Sequence, residues 1–412
     1  MEDLFDKYQY HEAMWEPDTA DSVIPGSEIA KYLQTKIKSV IKSYTEKGQI
    51  KSTPKLAIVQ VGVEEDADVY VRNKKKACEY VGVECEVYNI KNYNVDEEGN
   101  ITEYISDHDV YDIVVETVKR LNDDDTVHGI IVQMPIPWEK MFKQYHNITD
   151  LSQSRNGCET ALHKRWYFFN ENIMTAISSQ KDVDGLSRAL AANLAMWADV
   201  DYRYDERYKG LNDVEDAEKV CGFYQPATPF GIFYLLHKLY HIETEGKNVV
   251  IIGRSDIVGK PMARIMSNKQ QGNANVTLLH SKTPVYTLYQ QLQNADIVIS
   301  AVGHKNGYLL AKSNIRPGTV VIDAGIVVEH DEYGKRHIRG DADWKNLKDI
   351  CKYITPVPGG VGPMTVTMLI YNVYKAWCIK NNILVPTYDF ETDMKQCKSE
   401  SDMITDSEGP PG

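Results

Sequence analysis

The sequence predicts an α/β protein of two α/β domains flanking a cleft. Strand-length apolar stretches alternate with helical patterns twice, over 55–134 and again over 248–325. Such alternation implies parallel sheets with helices on their faces. Polar, irregular sequence separates the two series, and 412 residues suffice for two cores.

Residues 1–25 lack clear periodicity and read as a loose lead-in. Ile29, Leu33, Ile37, Val40 and Ile41 recur at helical spacing, predicting a helix from Ile29 to Tyr44. Lys55-Leu-Ala-Ile-Val-Gln-Val reads as a buried strand, with a helix from about Ala67 to Val81 behind it. Cys85-Glu-Val-Tyr-Asn-Ile is a second strand. A charged loop, a helix through Val110 to Leu121 and the strand Gly129-Ile-Ile-Val-Gln-Met follow. Residues 138–180 and Trp197 to Cys221 then break the pattern; both read as irregular and long for loops of a compact domain. The second series holds Asn248-Val-Val-Ile-Ile-Gly, a helix from Gly259, and strands Asn275–His280, Asp296–Val302 and Thr319–Gly325. The run Thr355 to Val366, with three prolines and three glycines, follows a β-like stretch, Ile350 to Ile354, and precedes a helical pattern from Val366. Pro lacks a donor and Gly is entropically costly in regular elements, so the run reads as a rigid, shaped loop. The acidic tail from about Asp389 reads as disordered.

A net charge of −13 argues against nucleic acid as the main partner. No apolar run reaches membrane-spanning length, and the acidic N-terminus resembles neither a signal peptide nor a transit peptide. Seven scattered cysteines without a CxxC argue against a disulfide framework or a metal site. The sequons at Asn100 and Asn147 read as chance. A soluble, cytoplasmic protein is expected.

Two constellations carry chemistry. In the first, Gly253-Arg-Ser-Asp-Ile-Val-Gly259-Lys-Pro follows a strand and opens a helix, which presents backbone N–H groups to an anion. The pattern also fits an ordinary βα turn. The next strand ends in Leu279-His280-Ser281-Lys282-Thr283, without the acid that usually holds a ribose 2′-OH. Arg254 and Lys282 instead suit a 2′-phosphate, hence NADP, unless they are simply solvated charges. In the second, Tyr70 and Lys74 share a helix face, Gln133 ends a buried strand where a polar group needs a partner or ligand, and Asp184 lies in Lys181-Asp-Val-Asp-Gly185. Each has a plain alternative: a solvated face, a structural hydrogen bond and an acidic turn.

Taken together in chain order, Tyr70-x-x-x-Lys74, Val127-His-Gly-Ile-Ile-Val-Gln-Met-Pro135, Lys181-Asp-Val-Asp-Gly185, Gly253 to Pro261 and Thr355 to Val366 resemble one family. It is the bifunctional methylenetetrahydrofolate dehydrogenase/methenyltetrahydrofolate cyclohydrolase family, and the resemblance runs from about Ile24 to Ile379. It implies NADP-dependent oxidation of 5,10-methylenetetrahydrofolate and hydrolysis of the methenyl product to 10-formyltetrahydrofolate. Catalysis would fall to Lys74, Tyr70, Gln133 and Asp184. Tyr70, Gln133 and Asp184, with Pro358, Gly359 and Gly360, would hold the substrate. A carboxylate such as Asp184 can accept from a pterin's amide N–H and exocyclic amine, while the resemblance implies no contact for Asp182. Tyr70 offers a stacking face, and Lys74 is the group suited to proton traffic once desolvated. NADP would meet Gly253, Arg254, Ser255, Ile257, Val258 and Gly259 in the first turn. His280, Ser281, Lys282 and Thr283 would follow in the second. Gly303, then Gly325 and Ile326, would approach its adenosine and nicotinamide ends. Thr228 and Thr365 complete the implied cofactor set.

The resemblance has gaps. Ala67 stands where most members carry Ser, Ala227 replaces a frequent Cys, and the wide separation of Gln133 from Asp184 marks an insertion near 138–180, with another near 197–221. The expected division is a folate-binding catalytic domain over 1–225 with a returning helix at 363–388, a Rossmann-type NADP domain over 226–360, and the tail 389–412. A homodimer is implied by resemblance alone. The rival readings are a monofunctional NAD(P)-dependent methylenetetrahydrofolate dehydrogenase and a non-catalytic folate- or nucleotide-binding protein.

Overall fold

The computed structural model describes residues 22–46, 48, 50, 52–62, 65–96, 98–151, 159–197, 224–269 and 271–381. Helix α1 (Gly26–Glu46) buries Ile29, Leu33, Ile37 and Ile41, most of the predicted stripe. Strand β1 (Lys55–Val61), helix α2 (Glu65–Val81) and strand β2 (Glu84–Ile90) follow. The charged loop expected next contains a small antiparallel hairpin, β3 (Tyr93–Val95) and β4 (Ile101–Tyr104). Its strands are short and largely exposed, so they carry no apolar alternation to announce them. Helix α3 (Asp107–Asp123) starts at Ser106, whose hydroxyl accepts from the Asp109 N–H at 3.1 Å. Strand β5 (Gly129–Val132) closes a parallel sheet in the order β2-β1-β5. Leu56 and Ile58 face α1 and α2, whereas Ala57 and Val59 face α3.

Residues 138–180 differ from expectation. They form helix α4 (Trp138–His146) and helix α5 (Glu159–Ala176). Leu162, Trp166, Phe169 and Ile173 bury one stripe of α5 at helical spacing, while its exposed face mixes Glu159, His163 and Lys164 with Tyr167 and Phe168, which blurs the period. Arg165 and the Trp166 indole both donate to Asp107 at the start of α3, at 2.5 and 2.7 Å. Helix α6 (Arg188–Trp197) follows. Most of the second irregular stretch lies outside the described residues, as do the tail and most of the lead-in.

Helix α7 (Ala227–Tyr234) runs on into a π-helical turn, Leu235–Leu239. The second sheet is built from β6 (Asn248–Ile252), β7 (Asn275–Leu279), β8 (Ile297–Ser300) and β9 (Val320–Asp323). Helix α8 (Gly259–Ser267) connects β6 to β7, and α9 (Val285–Asn294) connects β7 to β8. A hairpin, β10 (Val327–His330) with β11 (Arg336–Arg339), precedes the short helix α10 (Trp344–Leu347). The predicted stretch Ile350 to Ile354 contributes only β12 (Tyr353–Ile354). All five strands are parallel in the order β12-β9-β8-β6-β7, so successive connections leave β6 in opposite directions. The crevice at the carboxyl ends of β6 and β8 is where such sheets bind ligands.

Helix α11 (Val361–Lys380) begins five residues earlier than the pattern from Val366 suggested, inside the Gly/Pro-rich run. Pro363 is tolerated there because first-turn N–H groups have no intrahelical partner. The helix buries Met364, Met368, Tyr374 and Trp377 and packs on α1, α2, α7 and the first sheet. Asn372 donates from it to the carbonyls of Val183 and Gln225 at 2.8 and 3.0 Å. It thereby ties the segment of Val183 to that of Gln225.

Candidate active site

Three of the residues expected to bind folate, Lys74, Gln133 and Asp184, come together. The Lys74 ammonium, one turn after half-buried Tyr70 on α2, donates to Gln133 Oε1 at 2.9 Å. Gln133 sits just past β5, and its amide donates to the Met134 carbonyl at 2.8 Å, which fixes the oxygen towards Lys74. Burial holds the Lys74 amine below its ordinary range, against the opposing pull of the Asp184 charge. Burial likewise raises the Asp184 carboxyl, opposed by Lys74. The lysine and aspartate are thus near neighbours in one desolvated space, with Gln133 adding a polar partner but no charge.

The turn that presents Asp184 is built by its own motif. Lys181 donates to the carbonyls of Leu121, Asn122 and Asp124 at 3.0, 2.7 and 2.7 Å, closing the end of α3. Asp182 is buried and accepts the N–H groups of Gly185, Leu186 and Ser187 at 3.0, 3.3 and 2.7 Å. The two acids of the motif therefore divide their work: Asp182 shapes the turn and Asp184 faces the lysine.

The loop 355–360 lies against α1. Both the N–H and the hydroxyl of Ser27 donate to the Gly359 carbonyl, at 2.8 and 3.1 Å. A Cβ on Gly26 would stand 2.0 Å from the Gly360 oxygen, so backbone meets backbone here. Pro358 is exposed on this loop. At the base of α11 the Thr365 hydroxyl donates to that of Thr228 on α7 at 3.0 Å, bringing those two predicted residues together.

On the opposite side, Gly253 and Gly259 bound the β6–α8 turn. A Cβ on Gly253 would lie 2.6 Å from the Ala301 oxygen, and one on Gly259 only 2.0 Å from the Gly253 oxygen. The turn closes this tightly because both side chains are absent. Ser255 Oγ accepts from the Val258 and Gly259 N–H groups at 3.1 and 3.4 Å. Arg254, Ser281 and Lys282 are exposed, and no described residue forms an ion pair with either cation. The second turn is held by the Thr283 hydroxyl, which accepts the His280 N–H at 3.0 Å. Ile257 and Ile326 remain 40% and 42% exposed, leaving apolar surface open to flat rings. Gly303 abuts the Ile326 oxygen, so the turns after β8 and β9 touch. A close backbone turn, free cations and open apolar faces suit a phosphorylated dinucleotide.

Sequence reasoning missed the carboxylates behind these turns. Asp341 is fully buried; its carboxylate accepts the Ser300 hydroxyl at 2.6 Å and the N–H groups of Val302, Gly303 and His304 at 3.0, 3.3 and 2.7 Å. Asp323 accepts from Gly325, Asp341 and Ala342 at 2.9, 3.1 and 2.8 Å. Burial pushes its carboxyl up to about 7, against those three donors. Both turns facing the crevice are thus hung on buried acids. Asp323 was visible as a strand end, but Asp341 follows a hairpin that no periodicity revealed.

A five-stranded parallel sheet with a glycine-bounded first turn, in one chain with a Lys–Gln–Asp cluster held at low solvation, fits the class of nucleotide-dependent enzymes. Comparison with known proteins narrows this class. The profile of the tetrahydrofolate dehydrogenase/cyclohydrolase catalytic domain matches residues 24–151, and that of the NAD(P)-binding domain of the same family matches residues 226–381. A bifunctional protein FolD of Staphylococcus aureus is 34% identical over 361 residues, covering 88% of this chain and 98% of that protein. The bifunctional FolD methylenetetrahydrofolate dehydrogenase/cyclohydrolase of Campylobacter jejuni superposes with a TM-score of 0.63 at 30% identity, over 88% of this chain and 99% of its own. The methylenetetrahydrofolate dehydrogenase-cyclohydrolase of Trypanosoma brucei, solved with NADP and an inhibitor, gives 0.64 at 26%, over 86% and 96%. The chain belongs to the tetrahydrofolate dehydrogenase/cyclohydrolase family.

Proposed function

We propose that this protein oxidises 5,10-methylenetetrahydrofolate with NADP and hydrolyses the methenyl product to 10-formyltetrahydrofolate in a single cleft. The observation that carries the reading is the Lys74–Gln133 hydrogen bond beside Asp184, in a family whose relatives are named for both activities. Asp184 holds the pterin edge and Tyr70 stacks on it. Pro358, Gly359 and Gly360 line the other side of the substrate. In the oxidation, nitrogen lone pairs expel hydride from the methylene bridge, and NADP, when bound, supplies the acceptor. That step requires positioning and no general acid. Hydrolysis requires more. Water must lose a proton as it adds to the methenyl carbon, and the ring nitrogen must gain one as the C–N bond breaks. Lys74 serves both transfers, because burial lowers the cost of its neutral form while Gln133 orients the amine.

The cofactor assignment rests on Arg254, Ser281 and Lys282 at the 2′-phosphate and on the absence of an acid at the end of β7; the T. brucei relative was solved with NADP. Gly253, Ser255, Ile257, Val258, Gly259, His280, Thr283, Gly303, Gly325, Ile326, Thr228 and Thr365 complete that site. We place the folate-binding domain over 1–225 with the returning last helix, and the NADP domain over 226–360. A cytoplasmic homodimer that binds no nucleic acid completes the reading. Among the described residues, no helix is long and apolar enough to cross a membrane. Paired assays with methylene- and methenyltetrahydrofolate test the proposal. Turnover of both substrates is expected. NADP reduction without methenyl hydrolysis would establish the monofunctional alternative, and binding without either reaction would leave a binding protein.

A further inference from the structure

The chain carries a net charge of −13, yet one seam of its surface is basic. On α1, Lys31, Lys38 and Lys42 recur with Thr35 at helical spacing along one exposed stripe. On α2, Arg72 and Lys76 precede Tyr80 at intervals of one turn, and all three are exposed, as is Lys75. The two stripes meet. The Thr35 and Tyr80 hydroxyls are hydrogen-bonded at 2.8 Å, and the Lys38 ammonium stands 4.4 Å from the centre of the Tyr80 ring. Further along, Ile41 lies 3.9 Å from where a Cβ on Gly82 would stand, so the two helices run side by side in the same sense. Lys31 and Lys76, each one turn before the Thr35–Tyr80 contact, therefore flank one seam. Lys42 pairs with Glu46 at 3.6 Å, but among the described residues Lys31, Lys38, Arg72, Lys75 and Lys76 form no ion pair. Glu28 and Glu79 are exposed on the same helices and pair with none of them. Arg72 donates from Nε to the Asp68 carbonyl at 3.2 Å, while the Asp68 carboxylate accepts from the Gln60 amide. The seam begins at the Lys74 site. Ser27, one turn before Lys31, donates to Gly359 in the loop proposed to line the substrate, and Lys76 lies two residues beyond Lys74.

We propose that the seam between α1 and α2 binds the anionic tail of the folate, a chain of γ-linked glutamates, and so selects long-tailed substrate. The inference rests on the folate reading of the Lys74 site. With the pterin beside Asp184, the glutamate end of the substrate leaves past Gly359 and enters the seam between Lys31 and Lys76. Each further glutamate adds one carboxylate, and each meets another exposed cation along the two stripes. Lysine suits this task, because a compact charge on a flexible stem follows a mobile chain without fixing its geometry. The acidic remainder of the surface repels a polyanion, which concentrates its approach on the one basic strip. Gathering like charges without partners disfavours the free protein, and a bound row of carboxylates removes that cost.

The test compares methylenetetrahydrofolate carrying one glutamate with the same compound carrying five, at low and high salt, on the full chain. Exposed ion pairs are individually weak, so several together should lower KM for the pentaglutamate by about 5- to 20-fold at low salt. The kcat should be alike for both, and high salt should erase most of the difference. In the double variant Lys31→Glu with Lys76→Glu, KM for the pentaglutamate should rise to that of the monoglutamate, whose own constants stay unchanged. Equal KM values for the two tails in the wild type, or a preference that high salt leaves intact, overturn the proposal even if the variant misfolds. A folded double variant that keeps the full preference, or that loses both substrates equally, overturns it as well. Turnover of the monoglutamate reports on the proposed activities, whereas the ratio between tails reports on the seam. Should neither compound turn over, calorimetric titration with the two tail lengths decides the seam by the same ratio.

Discussion

The two proposed sites, one built around Lys74 and the other around the β6–α8 turn, are made in opposite ways. On the proposed folate side, Lys74 donates to Gln133 and interacts electrostatically with Asp184, and burial shifts both ionisable groups towards neutrality. On the proposed dinucleotide side, the backbone of a glycine-bounded turn and the exposed Arg254 and Lys282 are open to a ligand, while the buried acids Asp323 and Asp341 stand behind the turns. The difference follows from the tasks. Proton transfer by a lysine near neutral pH needs its charged form made costly, and burial is one way to do that. Phosphate recognition needs donors and positive charge that remain available to the ligand.

The contrast can be broken most severely at Lys74. Lys74→Met should lower methenyl hydrolysis by about 10²- to 10⁴-fold, the usual worth of a positioned acid–base group, and leave NADP affinity nearly unchanged. Hydrolysis at the wild-type rate would remove Lys74 from the mechanism.

Arg254→Ala probes the other side. A charge-assisted contact is worth roughly 1.5–3 kcal/mol, so NADP affinity should fall about 10- to 100-fold with NAD affinity little altered. Titration with both cofactors checks this, and an equal loss for the two would detach Arg254 from the 2′-phosphate.

Asp341→Asn sharpens the comparison by attacking the support and not the surface. An amide cannot accept from all of the donors that converge on the carboxylate, so stability should drop by about 1–3 kcal/mol. Thermal denaturation would show the loss, and bound NADP should recover part of it. An unchanged melting temperature would mean that these turns hold without the acid.

The smallest expected effect is a pH profile. Burial holds the Lys74 amine below its ordinary range, and in the proposed mechanism its neutral form is the base. Hydrolysis should therefore rise with pH as the amine loses its proton, beginning below the range of an exposed lysine. Oxidation, which needs no such group, should respond less. Parallel profiles for the two activities would argue against a division of labour.

Some of this was legible before any coordinates. Alternating apolar strands announced both sheets because buried parallel strands need continuous apolar runs. Tyr70 and Lys74 could be paired from helical spacing alone. Helix α5 reads as irregular in sequence because its buried stripe, Leu162 to Ile173, is blurred by exposed polar and aromatic neighbours such as Lys164, Tyr167 and Phe168. The start of α11 was hidden in a Gly/Pro-rich run whose composition opposes helix everywhere except in a first turn.

The sequence by itself determined the class of fold, the family and the residue types available for catalysis, since these rest on local period and short motifs. Tertiary structure decided which groups meet. It set Gln133 against Lys74 from separate elements, gave Asp182 the turn and Asp184 the lysine, and hung the crevice turns on Asp341 from beyond the β10–β11 hairpin. Burial and hydrogen-bond partners arise from distant segments packed together, and no local window of sequence contains them.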